Sequence, residues 1–269
     1  MITLEPFAGL ANRLRTIDSG ILLANKVNRA LQIDWILNRD LNCPFNQLFK
    51  PIDGILINDS INLKWPHTKS YKLHVLLKSF KYDKAFRTRK EVDQLPKIND
   101  LNHYLDKYNS IFISSCDSFY GSSNDYRYLN PVDEISEKVE KIKATFSEYC
   151  IGLHIRRSDH AIATHNSKTE SFVALMKWAI ENNHQTSFFL ATDSIKEESA
   201  LKQLFPGRIV TAPKILDRNS PKGIQEALVD LLCLSKTNKI YGCSMSSFSC
   251  AASYFGQVPI EFIDETFTI

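Results

Sequence analysis

Residues 147–159 read SEYCIGLHIRRSD. Residues 147–155 are rich in apolar residues, with His154 near their end, and the run then meets Arg156 and Arg157. A short apolar run with β-branched residues is a buried strand. The two arginines therefore stand where the chain leaves a sheet, at the edge where open sheets bind ligands.

The flanking segments repeat this pattern. Residues 130–146 have helical spacing, with Asn130 as a cap and Pro131 in the first turn. Downstream, helix-periodic segments at 171–183, 195–205, 223–237 and 246–256 alternate with strand runs at 186–193, 208–212, 239–244 and 258–263. Such alternation specifies a parallel sheet covered by helices on both faces. The chain also begins this way, with a strand at 2–7, a helix at 10–28 and a strand at 30–37. Beyond residue 38 the pattern weakens, until a further strand at 110–116. The polar, turn-rich stretch near 118–132 marks a domain boundary. The expected fold class is α/β: two Rossmann-like domains facing a cleft, the N-terminal one less regular. Residues 1–125 form an acceptor-side domain and 126–269 a donor domain.

Composition agrees with a globular chain. Of 269 residues, 43% are apolar and 23% charged, which excludes disordered and fibrous classes. No run approaches the ~18 apolar residues of a membrane span. The start lacks a basic segment followed by an apolar one, so a cytoplasmic protein is expected, with membrane association left open. The six cysteines form no C-x-x-C pair and read as small apolar core residues. The net charge of +3 hides a basic stretch, 64–90, which alone carries +8 and leaves −5 for the rest. Trp65, Tyr71, Phe80, Tyr82 and Phe86 interleave its lysines. This pattern suits nucleic acid, an anionic membrane or an acidic glycan, or simply a solvated face. The acidic remainder argues against nucleic acid.

Four stretches carry candidate chemistry. The Arg156–Arg157 pair matches phosphate oxygens, and its charge persists at every working pH; surface carboxylates are the bland alternative. In FFLATDS (188–194), Asp193 sits at a strand end, placed to hold a hydroxyl or a base edge, or to cap the next helix. Asp230 lies among Leu228, Val229, Leu231 and Leu232, where a charge needs a partner. Ser244, Ser246, Ser247 and Ser249 surround a strand-to-helix turn; hydroxyls and free helix amides there form an anion site or an ordinary cap. Near the start, Gly9 opens the first turn, and Asn12 and Arg13 follow on the helix. The chain has no G-x-G-x-x-G, no G-x-x-x-x-G-K-[ST] and no D-x-D. No metal and no cofactor are expected.

In order, GLANRLR (9–15), HIRRSD (154–159), FLATDS (189–194) and LVDLLCLSKTNKIYGCSMSSFS (228–249) resemble the fucosyltransferase superfamily that includes rhizobial chitooligosaccharide and α-1,6-fucosyltransferases. The resemblance implies a GT-B-type fold, a GDP-fucose-like nucleotide-sugar donor and inverting, metal-independent transfer to a glycan or lipid-linked saccharide. It places Arg156 and Arg157 at the donor diphosphate, and His154 and Asp230 near the guanine. Asp193 falls at the donor site, Ser246 and Ser247 near the phosphates, and Asn12 and Arg13 at the turn facing the cleft. The α-1,6 enzymes carry a glutamate base ten residues after the motif histidine, where this chain has Thr164. Asp159, His160, His165 and Glu170 remain as candidates for the base, with Asp159 or His160 favoured. The missing glutamate also keeps open a non-catalytic nucleotide- or glycan-binding protein of the same fold.

Overall fold

The computed structural model describes residues 1–59, 62–63, 69–123, 125–157, 167–217, 219–244, 246–264 and 267. The chain divides into two units, Met1–Val132 with Asp217–Gln225, and Asp133–Leu216 with Glu226–Ile269.

The first unit contains β1 (Ile2–Pro6), α1 (Leu10–Lys26), β2 (Leu31–Asp34), β3 (Ile55–Asn58), α2 (Lys69–Ser79), β4 (Lys84–Phe86), α3 (Arg89–Val92), α4 (Leu101–Asp106) and β5 (Ile111–Ser115). Its sheet has the order β3-β2-β1-β5-β4, and each strand pair is parallel. All five residues of β1 are buried, so alternate side chains face two covered layers. Leu4 packs under α1, where Gly20 makes room: a Cβ there would lie 2.4 Å from a Leu4 methyl. Glu5 faces the opposite layer, beneath α2. The sequence pattern misses β3 and β4 because they are short and only partly buried.

The second unit contains α5 (Asp133–Lys143), β6 (Cys150–Ile155), α6 (Thr169–Asn182), β7 (Ser187–Thr192), α7 (Ile195–Leu204), β8 (Ile209–Val210), α8 (Pro221–Leu234, its first turn grouping with the other unit), β9 (Lys239–Cys243), α9 (Ser247–Gly256) and β10 (Ile260–Ile263). The strand order is β10-β9-β6-β7-β8, again all parallel. Leu153, Ile155, Phe188, Leu190 and Tyr241 from the sheet pack with Phe172, Leu175, Met176 and Ala179 of α6. Those α6 positions follow helical spacing, which is why the sequence pattern finds them. Leaving β6, the chain builds toward β7 and β8 on one side and later toward β9 and β10 on the other. The order reverses between β6 and β9, where doubly wound sheets bind ligands beyond the strand ends. The α/β class with two parallel sheets is thus observed. Among the described residues, no helix is long and apolar enough to cross a membrane.

Candidate functional site

The β6/β9 switch point brings together several residues singled out in the sequence. His154 lies on β6 in register with Gly242 of β9. Its ring is buried, and its Nδ1 lies 2.7 Å from Ser249 Oγ and 3.3 Å from Ser246 Oγ. Phe248 stacks on it at 4.9 Å. Burial, reinforced by the Arg156 charge, pulls the imidazole down to about 4, so it is neutral at physiological pH. Gly242 permits this arrangement: a Cβ there would stand 2.3 Å from Ser249 Oγ. Ser246 occupies the cap position of α9, yet its hydroxyl makes no capping bond and turns to His154 instead. Ser247 opens the helix itself, half-buried, and the first amides of a helix have no partners within it. The positive end of α9 therefore stands beyond the strand ends.

The paired arginines separate. The Arg156 amide donates to Cys243 Sγ at 3.3 Å, which pins the end of β6 to the end of β9. Its guanidinium contributes positive charge at His154. Arg157 is committed internally. Its amide donates to Asp193 Oδ1 at 2.7 Å, and its guanidinium reaches Thr169 Oγ1 and Glu197 Oε1, both at 3.1 Å. Its fork ties the β6 end to α6 and α7. Asp193 receives the Arg157 amide at the β7 end, while Ser194 caps α7 by accepting the Glu197 amide.

Asp230 is buried on α8. Its Oδ2 accepts from Lys214 Nζ at 3.1 Å, and among the described residues its Oδ1 has no hydrogen-bond partner. Burial pushes the carboxyl up to about 6, against the pull of Lys214. Lys214 is not among the residues that the sequence singles out. It lies in the segment after β8, nearly buried, with its ammonium 3.7 Å from Glu198 and 3.5 Å from the Thr192 carbonyl. No motif marks it; its proximity to Asp230 exists only in the folded chain.

In the other unit, the N-terminal turn differs from expectation. Arg13 is fully buried rather than open to a ligand. It donates to the Ala8 and Ile36 carbonyls at 2.9 and 2.6 Å and to Asn38 Oδ1 at 3.1 Å, and it stacks over Trp35 at 4.8 Å. Burial lowers it to about 10, so it keeps its charge at neutral pH. It locks the first turn of α1 to the chain after β2. Asn12 beside it is half-buried. Asp159, His160, Thr164 and His165 lie outside the described residues. Glu170 is exposed in the first turn of α6. Among the described residues, no group of three or more His, Cys, Asp or Glu is placed to hold a metal ion.

The architecture has counterparts among solved structures. The fucosyltransferase NodZ from Bradyrhizobium superposes with a TM-score of 0.67 at 18% identity, over 96% of this chain and 93% of that one. This is the fold of the fucosyltransferases. A variant of Arabidopsis thaliana FUT1 in complex with GDP matches it at TM-score 0.62 and 12% identity, over 97% of this chain and 69% of that one. POFUT1 in complex with GDP matches at 0.62 and 14%, over 97% and 98%. No protein-family model matches the sequence, and no curated protein does.

Proposed function

We propose that the chain is a glycosyltransferase that takes a sugar from a GDP-linked donor, fucose being the sugar the fold favours, and passes it to a glycan or lipid-linked saccharide. The observation that carries this reading is the unfilled Oδ1 of buried Asp230. A buried acceptor without a donor is costly, and the N–H edge of a guanine supplies donors of the right kind. The fold supports the same donor: the NodZ α-1,6-fucosyltransferase has been crystallised with GDP and soaked with GDP-fucose, and it shares this architecture.

Within the proposed site, Asp230 accepts from the base while Lys214 holds its other oxygen. The neutral His154, with Ser246 and Ser249 on Nδ1, presents its remaining ring nitrogen without a competing charge. Arg156 and the amides at the start of α9 neutralise the diphosphate as the sugar–phosphate bond breaks and GDP leaves. Arg157 and Asp193 act behind them, fixing the strand ends. Transfer is inverting and independent of metal in this reading, because arginine and helix amides supply the charge stabilisation that a metal gives elsewhere. The acceptor hydroxyl requires a base, for which Asp159 and His160 remain the candidates. The setting is cytoplasmic glycan assembly.

Calorimetry tests the donor half: GDP should bind in the presence of a chelator, and Arg156→Ala should abolish the signal. Absence of GDP binding, or binding only with manganese, overturns it. A non-catalytic relative of the same fold would bind GDP yet release no fucose from GDP-fucose with any acceptor or with water.

A further inference from the structure

Helix α2 is seated with its polar side inward. Tyr71, His74 and Lys78 recur at helical spacing and reach the carboxyl-end half of the sheet. Tyr71 donates to Glu5 Oε1 at 3.0 Å and lies 2.9 Å from Ser114 Oγ. His74 Nε2 is 3.1 Å from Glu5 Oε2, and the Lys78 ammonium joins Glu5 to Asp34. The Glu5 side chain is 0% exposed and that of Asp34 3%, so both buried carboxylates draw on the Lys78 cation of this helix, Asp34 also accepting from Gln32 and Asn58.

The outer side is apolar. Leu73, Leu76 and Leu77, followed by Phe80 in the turn after the helix, are 54, 39, 58 and 76% exposed. They are spaced i, i+3, i+4 and i+7, one continuous stripe. The helix cannot roll to bury this stripe without stripping Glu5 and Asp34 of their cations. Apart from Phe80, the described aromatics of the basic stretch do not share the exposed face. Tyr71 faces Phe7, Tyr82 stacks on Phe112 and Phe86 is buried, while Trp65 is outside the described residues. Lysines accompany the stripe instead: Lys72 and Lys81 are exposed beside it. Asp83, the one acid of residues 64–90, is engaged by the Asn109 and Ser110 amides at 2.8 and 2.9 Å.

We propose that this outer face of α2 docks on an anionic lipid bilayer, the leucines and Phe80 entering the acyl boundary and the lysines meeting the headgroups. An apolar stripe flanked by basic residues is the pattern of an interfacial helix. A second copy of the chain fits less well, since it would bring two segments of charge +8 together. Nucleic acid fits less well too, since leucines offer nothing to phosphates. Docking here needs nothing from the donor site, so the two readings fail separately.

The experiment is co-sedimentation of the full chain with phosphatidylcholine vesicles in which phosphatidylglycerol makes up about one-third of the lipid, against pure phosphatidylcholine. The expected result is binding to the anionic vesicles that weakens with salt. The triple substitution Leu73→Ser, Leu77→Ser and Phe80→Ser should lower the affinity at least tenfold with no loss of urea stability. Lys72→Gln with Lys81→Gln should lower it about thirtyfold, from roughly 1 kcal/mol per basic residue. A Phe80→Trp variant should shift its emission to the blue when anionic vesicles are added. No pelleting with anionic vesicles, or equal pelleting by the triple variant, overturns the proposal. So does a concentration-dependent dimer in the ultracentrifuge that the triple variant abolishes, which would give the face to a second copy.

Discussion

Replacing Asp230 with asparagine separates binding from stability. Burial raises this carboxyl from 3.8 to about 6, a displacement that weighs roughly 3 kcal/mol against the folded, ionised form at neutral pH. That penalty is already net of the attraction of Lys214, so the substitution removes it whole. The gain is up to roughly 3 kcal/mol, or a melting temperature unchanged to roughly 10 °C higher at pH 7.5. GDP affinity should fall about 10- to 100-fold, because an amide accepts less strongly than a carboxylate. Calorimetry and thermal melts on the same preparation measure both. The pH dependence adds a check. Between about 4 and about 6 the folded carboxyl keeps a proton that the unfolded chain has released, so raising the pH through this window destabilises the wild type. His154 acts in the other direction: its folded form refuses a proton down to about 4, so lowering the pH from about 6.5 favours unfolding. The two offset each other in the wild type. In Asp230→Asn only the histidine effect remains, and stability should fall by up to roughly 3 kcal/mol from pH 6.5 to 4. A variant that melts well below the wild type at pH 7.5 while binding GDP equally would refute the reasoning.

Arg157→Ala should cost about 2–3 kcal/mol in urea unfolding, by taking the Arg157 cation from Glu197 and leaving it the Thr169 hydroxyl. GDP titration should change little, the opposite of the result expected for Arg156→Ala. Gly242→Ala drives a methyl into Ser249 and should destabilise by about 1–3 kcal/mol, with the His154 ring resonances displaced in NMR spectra. Arg13→Lys cannot serve its three acceptors in the same planar arrangement. It should cost about 3 kcal/mol by chemical denaturation without altering GDP affinity.

The second unit was largely legible because its central strands are mostly apolar runs and its covering helices show an apolar face. The sequence places the β6 strand at 147–155 and the structure has Cys150–Ile155. Between residues 38 and 110 the same cues fail. Strand β3 is four residues long with one exposed and three half-buried positions, and β4 is three residues long. Helix α2 defeats the pattern for another reason, since its polar positions are the inward ones. Glu5 passes unnoticed inside a strand because its partners come from a helix more than sixty residues away. Lys214 is hidden in the same way. Arg13 is the clearest difference: an arginine after a glycine turn looks available to a ligand, and only the fold reveals three backbone and side-chain acceptors around it. Ser249, which makes the shortest contact to His154, was visible only as one of four clustered serines.

The segment Asp217–Gln225 groups with the first unit although it lies deep in the second half of the chain. Asn42 donates to the Asn219 carbonyl, and Gln225 to that of Gln47, at 2.7 and 3.2 Å. The polypeptide is therefore not two beads on a string. A ribosome that has made residues 1–132 has not yet made all of the first unit, which must wait for about 90 further residues before it closes. Cutting the gene between the halves would sever that exchange. Two separately expressed pieces should regain full order only when mixed, as in fragment complementation, and not when each is purified alone.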